Sequence, residues 1–335
     1  MSLKGKNLKI AVVGATGAVG REMLVVLEER KFPIKELVAF ASPKSEGKSV
    51  HFAGKNHACR VLKKGCFDGL DIVFFDASDE VSREWVPEAL KANALVVDHS
   101  AAHRMNAEIA LVVPEVNGDA IQNHRLIAGP NCTTAQLVMV LKPLHDHFNL
   151  KRVLVSTYQS VSGAGTRAID ELKSQVLDPT ISKPEVLKHP IAFNLIPHIG
   201  SFDQEGHTSE EKKIMEETRK ILNLPSLKIA CTSVRVPTLH GHAEAVTAEF
   251  EKPVDVAAAK KVLNGFPGII LQDDPITNLY PMNLTAVGKD EVFVGRLRKD
   301  PSVAHGLMFW IVADNLRKGA ALNAVQIAER MIYGS

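Results

Sequence analysis

The sequence predicts an α/β protein of two domains. An N-terminal doubly wound parallel sheet, residues 1–132 plus 316–335, is followed by an α+β domain with a mixed sheet, residues 133–315. Three observations carry this. Short apolar runs alternate with helical patterns in the first third, a glycine-rich turn follows the first run, and the strand pattern changes after residue 149. The length of 335 residues also suits two domains better than one.

The elements follow in order. Residues 8–13 read as a buried strand and 21–30 as a helix closed by Phe32-Pro33. Residues 37–41, 71–75 and 94–98 are further apolar strands, with a helix over 83–91. Residues 126–129 lead into the turn Pro130-Asn131-Cys132-Thr133-Thr134 and a helix over 135–147. Beyond residue 149, 153–159, 229–238, 244–250, 293–297 and 307–313 read as longer strands. Helices are expected over 166–175 and 209–222, the latter opened by a Thr208/Glu211 capping box. Residues 178–206, rich in Pro, Gly and polar side chains, read as a long surface excursion. The final helix, 318–332, carries small and apolar residues at helical spacing and is expected to return to the first domain.

Composition excludes several classes. At 45% hydrophobic and 23% charged, the chain is neither disordered nor fibrous, and no apolar stretch reaches the roughly 18 residues of a membrane span. A formal charge of +2 without any long run of like charge gives no nucleic-acid or membrane surface. Lys4, Lys6 and Lys9 before an apolar run imitate a signal peptide. Gly14, Thr16 and Gly17 break that run and no small-residue cleavage site follows, so a cytoplasmic protein is expected. The four cysteines form no CxxC pair, which fits a reducing compartment and no structural metal.

Gly14-Ala15-Thr16-Gly17-Ala18-Val19-Gly20 lies between the first strand and the first helix. Glycines there permit a tight turn and close approach of a diphosphate, whose charge the helix start favours. That is the Rossmann-type pattern. The acid expected about twenty residues on, for a ribose hydroxyl, is absent. The second strand ends instead in Ser42-Pro43-Lys44-Ser45, where hydroxyls and a lysine suit a 2′-phosphate, and NADP is favoured over NAD. Lys44 as an ordinary solvated lysine is the competing reading.

Cys132 is the most informative residue. At a helix start the dipole stabilises a thiolate, and flanking Asn131, Thr133 and Thr134 argue against plain burial. Cys59, Cys66 and Cys231 read as inert. A nucleophilic thiol needs a proton acceptor, for which His242 is one candidate among 13 histidines. Arg235, seven residues upstream of His242, would suit an anionic substrate. His145 and His147 face different ways on their helix and make a poor metal pair; His99, His103 and His240 are taken as structural or solvent-facing.

These residues sit in stretches that resemble the bacterial, NADP-dependent aspartate-semialdehyde dehydrogenases nearly end to end. The stretches are GATGAVG at 14–20, LVVPEVN at 111–117, PNCT at 130–133, YQSVSGAG at 158–165, CTSVRVPTLHGHAEA at 231–245, VFVGRLR at 292–298 and VADNLRKGA at 312–320. The resemblance implies Cys132 as nucleophile, Gln159 as substrate-positioning group and His242 as acid/base. Arg235 would hold the substrate carboxylate, and Arg104, Asn131, Glu210 and Lys213 would serve substrate or phosphate. Gly14, Thr16, Gly17, Ala18, Val19, Ser42, Lys44, Ser45, Ser162, Gly163 and Asn315 would line NADP. A homodimer formed through the second domain is implied as well.

The implied reaction is reduction of 4-aspartyl phosphate to aspartate 4-semialdehyde, or phosphorylating oxidation in reverse, through a cysteine thioester. It supplies precursors of lysine, threonine, methionine and isoleucine. Residues 98–103, Asp-His-Ser-Ala-Ala-His, depart from the family's usual Asn, Ser and aromatic run before the arginine, which bears on phosphate and substrate affinity. Thr134 and Ala135 stand where the family is often bulkier. Three other readings compete. A reductase of N-acetylglutamyl phosphate usually has Gly before and Tyr after its cysteine; here the flanks are Asn131 and Thr133. A thiol hydrolase leaves the glycine loop unexplained, and a non-catalytic paralogue would be expected to have lost a reacting group.

Overall fold

A computed structural model describes residues 5–122, 124–178, 180 and 183–334. The chain packs into two units, Met1–Asn131 with Ala320–Ser335, and Cys132–Gly319.

The first unit opens with β1 (Leu8–Val13), α1 (Ala18–Glu29) and β2 (Ile34–Phe40). A hairpin of β3 (Ser49–Phe52) and β4 (Lys55–Ala58) precedes β5 (Ile72–Phe75), α2 (Asp79–Lys91) and β6 (Leu95–Asp98). Then come β7 (Ala110–Leu111), α3 (Pro114–Asn117) and β8 (Leu126–Ala128). Six strands join in the order β2-β1-β5-β6-β8-β7, every pair parallel. Strands covered on both faces should be apolar throughout, and β5 is buried at all four positions. One face packs Ile10, Val12 and Phe74 against Met23 and Leu27 of α1, and the other packs Val73 and Phe75 against Val86 and Ala89 of α2. The C-terminal helix Leu322–Tyr333 buries Leu322, Val325, Ile327 and Ala328 in the first of these clusters. Asn323 holds it there by donating to the Val112 carbonyl at 2.9 Å, and Arg30 grips Glu329 at 2.8 and 2.6 Å.

The second unit begins with α4 (Cys132–Phe148), β9 (Leu150–Gln159), α5 (Thr166–Leu177) and α6 (Ser209–Leu222). It continues through β10 (Lys228–Arg235), β11 (His242–Phe250), α7 (Val256–Asn264) and β12 (Ile269–Leu271). It closes with α8 (Asn283–Ala286), β13 (Val292–Lys299) and β14 (Gly306–Ala313). The strand order is β10-β9-β11-β14-β13-β12, with β10/β9 and β12/β13 parallel and the other pairs antiparallel. This is the mixed sheet that the sequence predicts.

Several expectations shift. The helix expected from residue 135 starts at Cys132, so the thiol belongs to its first turn rather than to a preceding loop. Cys132 is partly accessible, as expected, although Thr133 and Thr134 beside it are fully buried. The helix expected from 21 starts at Ala18, directly after the glycine turn. The final helix is regular only from Leu322, after a wide π-helical turn at Arg317–Ala321. The excursion over 178–206 is not purely superficial. Residues 179, 181 and 182 of it lie outside the described residues, but Ile191 and Ile196 are buried against Ala168 and Leu172 of α5. Gln175 on α5 accepts the backbone N–H groups of Ile191 and Ala192 at 2.8 and 3.1 Å, anchoring that segment. The β3/β4 hairpin and α7 were not expected.

The capping box forms as predicted. Thr208 Oγ1 accepts from the Glu211 N–H at 3.3 Å, and Glu211 Oε2 accepts from the Thr208 N–H at 2.7 Å. Replacing Thr208 by Ala should cost about 1 kcal/mol and lower the melting temperature by about 2–4 °C. An unchanged thermal scan would show that this cap contributes nothing.

Candidate active site

In the first unit, the glycine turn is built for close backbone approach. Gly14 has φ +92°, and a Cβ there would lie 1.9 Å from the Asp76 carbonyl oxygen. Its N–H and that of Ala15 both donate to the Phe40 carbonyl, at 2.9 and 3.0 Å, which ties the turn to the end of β2. Thr16 and Gly17 complete the turn, and Ala18 and Val19 start α1. The Gly17 cap lends no side chain and the first turn of α1 holds no acid, so its N–H groups and dipole suit an outside anion. These residues fit a dinucleotide diphosphate. Ser42 precedes a 3-10 turn at Pro43–Ser45, where Ser42, Lys44 and Ser45 lie together just beyond β2. Arg104 and Asn131 are also in this unit, both buried, and Arg104 donates to the His99 carbonyl at 2.6 Å. His99 is a buried side chain whose pKa is pushed down to about 3 by burial and by Arg104.

In the second unit, strand register brings the candidate residues together. Arg235 on β10 pairs with Gln159 on β9, and Gln159 pairs with His242 on β11. Cross-strand partners share a face, so three residues far apart in sequence form one row. All three are nearly inaccessible: Gln159 is 1% exposed, Arg235 5% and His242 0%.

Each is held by name. The Gln159 amide is fixed at both ends, its Oε1 accepting from Thr157 Oγ1 at 2.9 Å and its Nε2 donating to Glu210 Oε1 at 3.0 Å. Lys213 lies 3.7 Å from the other Glu210 oxygen. Arg235 donates from Nη1 to the Ser160 carbonyl at 2.6 Å. Burial lowers the Arg235 pKa, and the nearby Glu210 carboxylate and Cys132 thiol oppose that shift. Asn315 gathers a polar knot, its Oδ1 accepting from the Gly241 N–H at 2.9 Å and from Ser162 Oγ at 3.2 Å. A Cβ on Gly163 would sit 3.1 Å from Arg235 Nη1 and 3.3 Å from His242 Nε2, so Gly163 borders both groups.

His242 has a defined tautomer. Its Nδ1 accepts from the Ser160 backbone N–H at 3.1 Å, with Ser160 Oγ at 3.2 Å. A nitrogen facing a main-chain donor cannot itself carry a proton, so the neutral ring is protonated at Nε2. That Nε2 is buried without a hydrogen-bond partner. Burial foremost, and the Arg235 charge, push the ring's pKa down to about 3.

Cys132 opens α4 on the same unit, partly accessible, with its Sγ 4.0 Å from Thr133 Oγ1. Gly319 packs its backbone against it: a Cβ there would fall 2.9 Å from Cys132 Cβ. The other cysteines are poorly suited to reaction. Burial raises the pKa values of Cys59 and Cys66, and Cys231 is pushed up to about 12 by burial and neighbouring carboxyls. Thr157, Ser160 and Gly319 escaped the reading for chemistry, although Ser160 lies inside the YQSVSGAG stretch. Among the described residues no three of His, Cys, Asp and Glu cluster as metal ligands would. Among them, too, no helix is long and apolar enough to cross a membrane.

A doubly wound nucleotide-binding sheet followed by a mixed sheet with such a row defines a semialdehyde dehydrogenase. The family model described as semialdehyde dehydrogenase, NAD binding domain, matches residues 9–124. The model described as semialdehyde dehydrogenase, dimerisation domain, matches residues 141–318. An aspartate-semialdehyde dehydrogenase of Aquifex aeolicus is 48% identical over 97% of this chain and 98% of its own length. One from Bacillus subtilis is 45% identical over 98% of both chains. The crystal structure of aspartate semialdehyde dehydrogenase II from Vibrio cholerae superposes with a TM-score of 0.94 at 43% identity, covering 98% of this chain and 99% of that one. A second structure of that protein, described as complexed with ASA, gives the same TM-score of 0.94. The chain belongs to the aspartate-semialdehyde dehydrogenase family.

The tautomer is open to test. Nitrogen-15 shifts of the His242 ring should report a neutral, Nε2-protonated imidazole at every pH from about 5 to 8, since protonation is deferred to about 3. A titration midpoint near the ordinary value of about 6.5 would contradict the assignment.

Proposed function

We propose that this enzyme catalyses NADP-dependent, reversible, phosphorylating oxidation of L-aspartate 4-semialdehyde to L-4-aspartyl phosphate through a thioester on Cys132. The observation that carries the reading is the buried row Arg235–Gln159–His242, with Glu210 beside Gln159. A buried cation and a buried carboxylate bordering one amide suit an amino acid's zwitterionic end: Arg235 takes the α-carboxylate and Glu210 the α-ammonium. The ASA named with the Vibrio cholerae structure supports that ligand class.

The steps follow from the groups in place. At the start of α4 the helix dipole and the Arg235 charge favour the Cys132 thiolate, whose proton leaves to solvent. The sulfur attacks C4, a C–S bond forms, and the carbonyl π pair moves onto oxygen. Gln159 orients the substrate for that attack. The resemblance gave His242 an acid/base part, and its geometry favours a narrower one. A neutral ring with Nε2–H donates a hydrogen bond to the alkoxide and needs no proton of its own to move. The alkoxide collapses to a thioester as hydride departs, and NADP⁺ supplies the acceptor for it. Phosphate, for which the resemblance nominates Arg104, Asn131 and Lys213, then attacks the thioester carbon, the C–S bond breaks, and Cys132 is released as thiolate.

NADP is favoured over NAD because Ser42, Lys44 and Ser45 follow β2 where an acid would otherwise meet the ribose. Gly14, Thr16, Gly17, Ala18 and Val19 would take the diphosphate, and Ser162, Gly163 and Asn315 the nicotinamide end. In the reductive direction the product, aspartate 4-semialdehyde, serves biosynthesis of lysine, threonine, methionine and isoleucine. A homodimer is supported by the matched dimerisation domain and by exposed apolar side chains on the second unit, among them Leu154, Ile276, Met282 and Leu284. None of the four cysteines is in a disulfide, in keeping with a cytoplasmic enzyme.

Reduced-nicotinamide absorbance tests this with aspartate semialdehyde, NADP⁺ and varied phosphate. Reduction that depends on phosphate is expected, with Cys132→Ala inactive yet still binding NADP. His242→Asn should lower kcat by about 10²–10³-fold with little change in KM, the loss of one oxyanion donor. Turnover by Cys132→Ala, or a rate indifferent to phosphate, would overturn the proposal.

A further inference from the structure

The row beneath the site is polar as well, and one member has no part in the chemistry above. Two residues down each strand, Ser233, Thr157 and Glu244 align, with Ile311 completing the row on β14. Glu244 is 0% exposed and neither carboxyl oxygen has a hydrogen-bond partner. The side chain facing it is the Gln136 amide from α4, itself fully buried, whose Oε1 also lacks a partner. Gln136 Nε2 reaches the His242 carbonyl oxygen at 3.4 Å. Gln136 stands four residues after Cys132, one helical turn along α4.

An ionised Glu244 would be a buried charge with the Gln136 amide N–H as its donor and no cation against it, and it would leave Gln136 Oε1 buried beside it without any donor. One proton resolves it. A carboxylic acid and a primary amide form a two-way pair, acid O–H to amide oxygen and amide N–H to acid carbonyl oxygen, leaving the second amide N–H for His242. The titratable neighbour coupled to it, Cys231 on β10, is itself an acid, and only burial and the Gln136 amide bear on the Glu244 carboxyl.

We propose that Glu244 is held as a neutral carboxylic acid paired with Gln136, and that this pair is a positioning device joining the helix that starts at Cys132 to the strand that starts at His242. Burial pushes the Glu244 pKa well above the ordinary carboxylate range, in agreement. The pair acts through the backbone carbonyl of His242 and the first turns of α4, and touches no substrate. Its functional consequence rests on the roles proposed for Cys132 and His242; the protonation state does not.

Infrared spectroscopy of the full-length protein near neutral pH tests the first part. Asp76, whose pKa is pushed up to about 7 by burial, also contributes protonated carboxyl there, so the expected result is a protonated-carboxyl C=O band in the wild-type minus Glu244→Gln difference spectrum. Steady-state kinetics test the second. Glu244→Leu and Gln136→Leu should each lower kcat about tenfold or more with KM little changed, since slight misplacement of reacting groups is costly. Glu244→Gln, which keeps a donor and an acceptor toward Gln136, should return most of the activity. Absence of the band, or wild-type kcat in a folded leucine variant at either position, would overturn the proposal. The band needs no turnover, so an error in the assigned reaction would show as an inactive wild type with the band intact. Should Glu244→Leu fail to fold, Gln136→Leu and the difference spectrum still decide.

Discussion

The second unit depends on the register of one sheet. Because β10, β9 and β11 pair as they do, every second residue from each strand stands in a common row on the face packed by α4 and α6. The lowest rows are apolar: Ile229, Val153, Ala248 and Leu307, then Cys231, Val155, Val246 and Phe309. Each large buried side chain there is worth about 1.5–3 kcal/mol, enough to hold the strands against slippage. The next row is Ser233, Thr157 and Glu244, and the last is Arg235, Gln159 and His242. A slip of one residue would turn all of these to the opposite face. The apolar base therefore fixes the geometry of the polar end.

Burial sets the chemistry of that polar end. With so little water present, Gln159 is met by Thr157 and Glu210 and Arg235 by the Ser160 carbonyl, and each contact removes a degree of freedom from the site. The same burial keeps His242 uncharged, and its Nδ1 contact with the Ser160 N–H aims the one ring proton at Nε2. Cys132 differs in being partly accessible and at a helix start, where a negative charge is tolerated. In the first unit the equivalent economy is backbone only. Gly14 is pressed against the Asp76 carbonyl, so no side chain intrudes where the turn meets α1.

Much of this was legible in the sequence because it is local. The apolar run of β1, the glycine turn and the Thr208/Glu211 cap are each specified within a few residues. The 209–222 helix was read to its observed bounds, Ser209–Leu222. The β3/β4 hairpin was missed because its strands are short and largely polar and it turns at Ala53-Gly54, both at positive φ, with alanine no turn signal. Cys132 is partly accessible as its polar flanks suggested, but the burial of Thr133 and Thr134 was not legible, because side-chain polarity does not reveal a helix sunk in a core. The candidate residues themselves were named from their stretches, whereas their alignment was not, since Arg235, Gln159 and His242 meet only through non-local pairing. The Glu244–Gln136 contact escaped for the same reason: neither residue stands in a local motif that marks it.

The account turns on a covalent bond to Cys132, and the most direct measurement is mass spectrometry of the enzyme quenched after mixing with aspartate semialdehyde and NADP⁺ in the absence of phosphate. The thioester should then persist for want of an acceptor, adding the mass of one aspartyl group to the peptide that contains Cys132 and disappearing when phosphate is supplied. NADPH formed with no such adduct, or an adduct on Cys59, Cys66 or Cys231 that phosphate discharges, would contradict it.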